Sequence, residues 1–273
     1  MQAHHPLDVG DIQCIALRAA AHDPTIRLAD LLLPPNGGES ARAEEERTAT
    51  LRGTHSCLLA RIGDRTLLID GGLESAAVLA SLHGAGLDED SVQLVLITHG
   101  DTDHIAGLVD ERHRLVYRRA RYVLHRDLWE AWVSDGTRGD PNPFYEEEQR
   151  KIARVLAERI GGRVQPLGAE GEVEPGIRAI AAPGHRPSHF AYELESGDRR
   201  LLHTGDAIIA PILVQEYSRG NAFDTDPELG VTSRLKLLRR AVHPGTVVFA
   251  PHFPFPGFVR IVERDGRFSC AGP

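Results

Sequence analysis

Two short runs rich in branched apolar residues, Ser56 to Ile62 and Arg65 to Asp70, flank Gly63-Asp64 and predict a hairpin with a two-residue turn. Gly71-Gly72 ends the second strand. Ser75 to Leu82 then reads as a helix, with Ser75 as N-cap and Gly84 past its end. Val92 to Thr98 is almost continuously apolar, as suits a strand buried on both faces. A short strand at Tyr122 to Leu124 follows, then a helix over about Asp127 to Val133. A second helix opens at Asn142-Pro143, carries an acidic first turn through Glu146-Glu147-Glu148 and ends at Gly161-Gly162.

The second half repeats the scheme. Strands at Arg163 to Pro166, Ile177 to Ala181, Phe190 to Leu194 and Arg200 to His203 lead to a helix from about Pro227 to Val242. Further strands cover Thr246 to Ala250 and Phe258 to Glu263. Before about residue 50 the pattern is weak. Leu31-Leu32-Leu33-Pro34-Pro35 with Asn36-Gly37-Gly38 reads as a loop, and Glu44-Glu45-Glu46 as a solvated charge run or a short helix. No proline- or serine-rich linker divides the chain. The expected class is α/β, a four-layer αββα sandwich in which two sheets pack face to face. Residues 51–273 would form this single domain, with 1–50 as an extension packed on it or leading into it.

Composition narrows the partners. The 273 residues are 41% hydrophobic and 26% charged, ordinary globular values. A net charge of −8 argues against nucleic acid, which needs a concentrated positive surface. No apolar run approaches the ~18 residues of a membrane span. The opening Met-Gln-Ala-His-His-Pro lacks the basic and apolar segments of a secretion signal. Cys14, Cys57 and Cys270 are too far apart for a C-x-x-C site and odd in number, so a reducing, cytoplasmic setting is expected.

Histidine, with 14 copies, is the unusual count. His99-x-Asp101-x-Asp103-His104 puts four potential ligands in the loop after a buried strand, where α/β sites commonly lie. Imidazole and carboxylate hold zinc, iron or manganese at neutral pH. An ordinary polar turn is the alternative, but three further loops deliver the same residue types. They are Pro183-Gly184-His185, Thr204-Gly205-Asp206 and the His252 loop of Ala250-Pro251-His252-Phe253-Pro254-Phe255-Pro256-Gly257. Ser56 and Ser188 each adjoin a histidine, but no third member of a serine-hydrolase triad is identifiable.

In order and spacing these pieces, with Leu68-Ile69-Asp70-Gly71-Gly72 before them, make the chain resemble the metallo-β-lactamase superfamily over about residues 53 to 265. Phe223-Asp224-Thr225-Asp226-Pro227, Thr232-Ser233-Arg234 and the Phe-Pro-Phe-Pro-Gly stretch resemble the branch of methyl parathion hydrolases and lactonase or esterase relatives. The usual His-x-His-x-Asp-His motif is here an HxDxDH variant, with Asp101 in place of the second histidine. By resemblance, His99, Asp101 and His185 would form one metal site, Asp103, His104 and His252 the other, and Asp206 would bridge them. Two divalent ions are implied, zinc first, with Mn²⁺ or Fe²⁺ admitted because Asp101 is a harder, charged ligand. Asp70 would orient a ligand from behind, and His189 would support the site rather than ligate.

Such a site shares a water between two metals, lowers its pKa and polarises the attacked carbonyl or phosphoryl oxygen. The expected activity is hydrolysis of a small ester or lactone by a metal-bridged hydroxide, with Asp206 or Asp103 protonating the leaving group. Phosphotriester or phosphodiester hydrolysis at the same metals is the alternative. Iron-dependent oxidation is a third, since di-iron relatives also carry a carboxylate at the Asp101 position. Trp129, Trp132, Phe144, Phe253 and Phe255 are candidate pocket residues, and the segment from Trp129 to Tyr145 a candidate lid. His55 and His125 are read as surface or loop residues, and His203 as a core residue. A homodimer is implied by family analogy alone.

Overall fold

The structure, a computed structural model, describes residues 3–34, 43–134 and 147–273. The chain opens with a hairpin, β1 (His4–Val9) and β2 (Ile12–Arg18). A small ribbon follows, β3 (Thr25–Arg27) and β4 (Thr50–Arg52), with short helices α1 (Leu28–Leu31) and α2 (Ala43–Thr48) between its strands. Next come β5 (Ser56–Ile62), β6 (Arg65–Ile69), α3 (Ser75–Gly84), β7 (Leu94–Leu96) and α4 (Thr102–Ile105). The half closes with β8 (Arg121–His125), α5 (Arg126–Ser134), α6 (Glu147–Ile160) and β9 (Val164–Leu167). The expected Asn142-Pro143 start of α6 lies outside the described residues.

The second half contains β10 (Gly171–Glu174), β11 (Ile177–Ala181), β12 (Phe190–Ser196), β13 (Arg199–His203), α7 (Ile212–Gln215) and α8 (Pro227–Ala241). It ends with β14 (Thr246–Phe249), β15 (Phe258–Arg264) and β16 (Arg267–Ala271). Helix α8 starts where Asp226 accepts the Leu229 N–H and Pro227 supplies a preset φ. No helix among the described residues is long and apolar enough to cross a membrane.

One seven-stranded sheet has the order β1-β2-β5-β6-β7-β8-β9, the other β10-β11-β12-β13-β14-β15-β16. The first is antiparallel to β6 and parallel from β6 to β9, each parallel step being made through a helical crossover. The second is antiparallel except for β13 beside β14. Alternation along the strands makes the layers. In β5, Leu58 and Ala60 face the other sheet, while Cys57 and Leu59 face α3, α5 and α6. From the second sheet, Phe190, Tyr192, Leu194 and Phe249 meet Leu58, Ile69, Leu96 and Val123 in the middle layer. A third cluster packs Ile180, Leu202 and Val248 under α7 and α8. This is the expected αββα sandwich. His4–Arg18 are built into its first sheet, since β1 pairs with β2 and β2 with β5 from Ile12↔Ile62 to Arg18↔Ser56.

The parallel strands deliver the site. The apolar run at Val92 to Thr98 forms a regular ladder only at Leu94–Leu96, because the chain is then drawn aside. Ile97 N still donates to Val123 O, but Thr98 N donates to Asp70 Oδ1 at the end of the neighbouring strand. Asp70 has φ +62°, a left-handed value an aspartate tolerates better than a branched residue.

Candidate metal centre

Loops after β7, β11, β13 and β14 converge at one end of the sandwich, together with the residues entering β5. After β7, Asp101 turns into α4, which carries Asp103 and His104 inward. Gly205, with φ +51°, lets the chain turn directly after β13 so that Asp206 enters the same space. A Cβ on Gly205 would run into His189 Nε2, the atom that accepts the Asp206 N–H at 2.9 Å.

Asp206 lies between two groups of imidazoles. Its Oδ1 is 3.1 Å from His104 Nε2 and 3.1 Å from His252 Nε2. Its Oδ2 is 3.4 Å from His185 Nε2 and 3.9 Å from His99 Nε2. Asp103 Oδ2 extends one group, 3.4 Å from His252 Nε2 and 3.8 Å from His104 Nε2. Asp101 Oδ2 extends the other, 3.4 Å from His185 Nε2 and 3.7 Å from His99 Nε2. Among the described residues, three donor sets are compact enough for a metal ion: His99, His185 and Asp206; His104, Asp206 and His252; His55, Asp103 and His252.

The imidazoles are fixed from behind. His104 Nδ1 is 2.7 Å from Asp70 Oδ2, His185 Nδ1 is 3.2 Å from Asp224 Oδ1, and His252 Nδ1 is 2.9 Å from the Thr54 carbonyl. Thr98 Oγ1 donates to Asp70 Oδ2 at 2.8 Å, so its oxygen accepts from His99 Nδ1 at 2.9 Å. With each Nδ1–H donated outward, the neutral form of each imidazole aims its Nε2 lone pair at the centre, the arrangement that metal-ligating histidines need. His99 Nε2, His185 Nε2 and Asp206 Oδ1 are buried without a hydrogen-bond partner. Burying such atoms unsatisfied is costly, so the donor set fits divalent metal ions.

Charges respond to the crowding. Burial pushes the His99 imidazole down, and neighbouring His104 adds to that. Burial pushes His104 down too, but the Asp206, Asp70 and Asp103 carboxylates override it and hold it well above the ordinary value. For His185 the carboxylates of Asp101 and Asp224 outweigh burial, raising it to about 9. Burial raises the Asp206 carboxyl, yet His252 and His104 hold it well below the carboxylate range. Burial keeps His203 down at about 4, its Nδ1 accepting the Gly205 N–H at 3.1 Å.

Beside the donors opens a pocket of about 430 Å³. Its wall is apolar, made by Pro24, Ile26, Leu31 and Leu51 from the first fifty-odd residues and by Ile209, Pro211, Phe223 and Pro254 from the second half. Arg52 and Arg186 bring positive charge to it. Of the expected aromatic residues, Trp129, Trp132, Phe253 and Phe255 lie elsewhere. Trp132 is fully buried under the first sheet with Trp129 packed against the same cluster, because α5 turns its apolar face to the core. Phe253 is buried under the second sheet, and Phe255 lies beneath the Arg18 guanidinium, 4.5 Å from its ring centre. Phe144 and Tyr145, with most of the candidate lid, lie outside the described residues.

Two site residues escaped the sequence reading. His55, read as surface, lines the pocket with Nδ1 3.3 Å from Asp103 Oδ2 and its ring edge-on to His252. Asp224, quoted only within a motif, is the carboxylate behind His185. The Asp-Thr-Asp-Pro string before α8 marked a helix start, but nothing in it pointed to a histidine 39 positions earlier.

A model of the metallo-beta-lactamase superfamily matches residues 50–252. A protein of Mycobacterium bovis named as a probable metallo-hydrolase, Mb2322c, is 23% identical over 235 residues, covering 74% of this chain and 68% of its own length. Among solved structures, AidC, described as a dizinc quorum-quenching lactonase in complex with a product, superposes with a TM-score of 0.80 at 19% identity. That match covers 99% of this chain and 97% of AidC. AbOPH, a hydrolase described as belonging to the beta-lactamase superfamily, gives 0.78 at 22% identity, covering 100% of this chain and 98% of its own.

Proposed function

The chain belongs to the metallo-beta-lactamase superfamily and is a metal-dependent hydrolase, and from that premise we propose that it opens small lactones or esters with an apolar substituent. The observation that carries this reading is the apolar pocket set against the donor cluster. Leu31, Leu51, Ile209 and Phe223 offer a hydrocarbon chain a place to leave water while its carbonyl end reaches the carboxylates and imidazoles. AidC, with its homoserine product, lends the choice of a lactone further support.

His99, Asp101, His185 and Asp206 on one side, and Asp103, His104, His252 and Asp206 on the other, would hold divalent ions, which would supply Lewis acidity and activate a water. We assign zinc to them. The protein does the rest by position. Asp206 reaches both donor groups with its two oxygens and fixes their separation. Asp103 Oδ2, an ionised carboxylate facing the pocket next to His55, is placed to take the proton that the attacking water gives up and pass it to the leaving oxygen. The apolar wall excludes competing water. His189 keeps Asp206 in place through its backbone N–H.

A phosphodiester or phosphotriester at the same site is the second reading, favoured by Arg52 at the pocket. The test is a panel of acyl lactones, aryl esters, phosphotriesters and phosphodiesters assayed on zinc-loaded protein. Lactones or esters should give the highest kcat/KM, increasing with acyl length. Higher kcat/KM on a phosphorus ester would replace the first reading with the second.

A further inference from the structure

The oxygen of Asp101 that faces His99 and His185 is held at the same time by a buried cation. Arg186 donates from Nε to Asp101 Oδ1 at 2.9 Å and from Nη2 to Oδ2 at 2.5 Å, a two-pronged guanidinium–carboxylate contact. Arg186 is only 3% exposed. Its Nη1 donates to the carbonyls of His185 and Phe223 at 2.5 and 2.9 Å and to Thr225 Oγ1 at 3.3 Å. The guanidinium therefore ties the loop of Asp101, the loop of His185 and the stretch that carries Asp224 into one unit.

We propose that Asp101 and Arg186 act together as a charge-compensated ligand, with Arg186 the positioning residue that sets the metal preference of the His99–His185 site. The inference rests on the metallohydrolase reading above. An imidazole in the motif's second place is neutral. A lone carboxylate there adds a full negative charge beside Asp206 and shifts the site toward harder ions such as Mn²⁺. Paired with a buried guanidinium, the carboxylate contributes a donor oxygen with its charge offset, so the site keeps a preference for zinc. Only arginine can do this, because the planar fork fixes both carboxylate oxygens where a lysine would touch one. The bond also leaves Oδ2 a single orientation, towards His99 and His185 rather than solvent.

The experiment measures metal binding without substrate. Wild type, Arg186→Gln, Arg186→Lys and the double variant Asp101→His/Arg186→Gln are dialysed against mixed zinc and manganese, and bound metals are counted. Cobalt-loaded visible spectra report the ligand field of each site. Arg186→Gln should lower the zinc-over-manganese ratio about tenfold or more at one of two sites, the scale on which partners of metal ligands act. The double variant should recover it. Arg186→Lys keeps the charge but can touch only one carboxylate oxygen, so it should lower the ratio less than Arg186→Gln does and still alter the cobalt spectrum; it carries the test if the Gln variant does not fold. A wild-type zinc-to-manganese ratio and cobalt spectrum in both single variants would overturn the proposal. Wild-type protein that took up no divalent metal would overturn the hydrolase reading and this one together. An unexpected substrate range, with the metal ratios changing as stated, would count only against the choice of substrate.

Discussion

Each imidazole aimed at the centre depends on a second group that fixes its tautomer, and these groups differ in how much else they do. Asp224 Oδ1 takes the His185 Nδ1–H and also accepts from Asn221 Nδ2 at 2.9 Å. Asp224→Ala should lower zinc affinity at the His99–His185 site about 10- to 100-fold while the other site keeps its metal, as titration with a chromogenic chelator would report. Arg234 is the residue behind it, fully buried, donating to the carbonyls of Ala207, Tyr217 and Arg219 and lying 3.5 Å from Asp224 Oδ2. Arg234→Met would leave three carbonyls without their donor and Asp224 Oδ2 without its neighbouring cation. A loss of about 3–5 kcal/mol in denaturant unfolding is expected, the range for breaking a buried ion pair from one side.

Among the elements, β12 shows how a strand carries a charge through the core. Glu193, fully buried, accepts from Arg240 of α8 at 2.7 and 2.6 Å and pins that helix to the second sheet. Burial pushes the Glu193 carboxyl up, but the Arg240 guanidinium overrides it and holds the group below its ordinary value. A carboxyl depressed on folding stabilises the native state above its unfolded pKa of roughly 4.3, and that stability is lost as pH falls through the lower folded value. In Arg240→Met burial loses its main opponent, leaving only the weaker effects of Glu195 and Arg200, so the stabilisation of the ionised carboxyl shrinks and the acid-unfolding midpoint followed by circular dichroism should move to higher pH. An unchanged midpoint would mean that the pair contributes nothing to the attachment of α8. The β3–β4 ribbon and α1 have a different task, since Ile26, Leu31 and Leu51 wall the pocket without supplying a donor. Leu51→Ala should raise KM for long-chain lactones with little change in kcat, because it removes contact area shared by ground and transition states.

At the scale of the whole molecule, the donors come from both sheets, so metal binding joins the two halves of the sandwich. His99, Asp103 and His104 belong to the first half, and His185, Asp206 and His252 to the second. Ions bound only by the native state stabilise it by mass action, about 2.7 kcal/mol at a hundred times the dissociation constant. Chelation should therefore lower the melting temperature, and readdition of zinc should restore it. A melting temperature indifferent to chelator would contradict a metal centre that joins the halves.

The sequence by itself determined the layered class, most strand positions and the four loops that carry ligand-type residues, because apolar periodicity and strand-end glycines are local signals. It also held β2, where buried Ile12 and Cys14 alternate with more exposed neighbours, but the alternation is short and breaks at Ala16-Leu17, both fully buried. Tertiary structure alone decided which side chains face one another. Trp132 and Phe253 have the chemistry of pocket residues, yet their helix and loop turn them into separate cores. The pocket wall is instead shared by Pro24, Ile26, Leu31 and Leu51, which lie in sequence without a clear pattern, and by Ile209, Pro211, Phe223 and Pro254 of the second half. His55 stands beside Asp103, and Asp224 behind His185, through contacts spanning tens of residues. Asp101 shows the limit most clearly. Its place in the motif is written in the chain, but its charge in the site depends on Arg186, 85 positions away, because electrostatics follows distance in space.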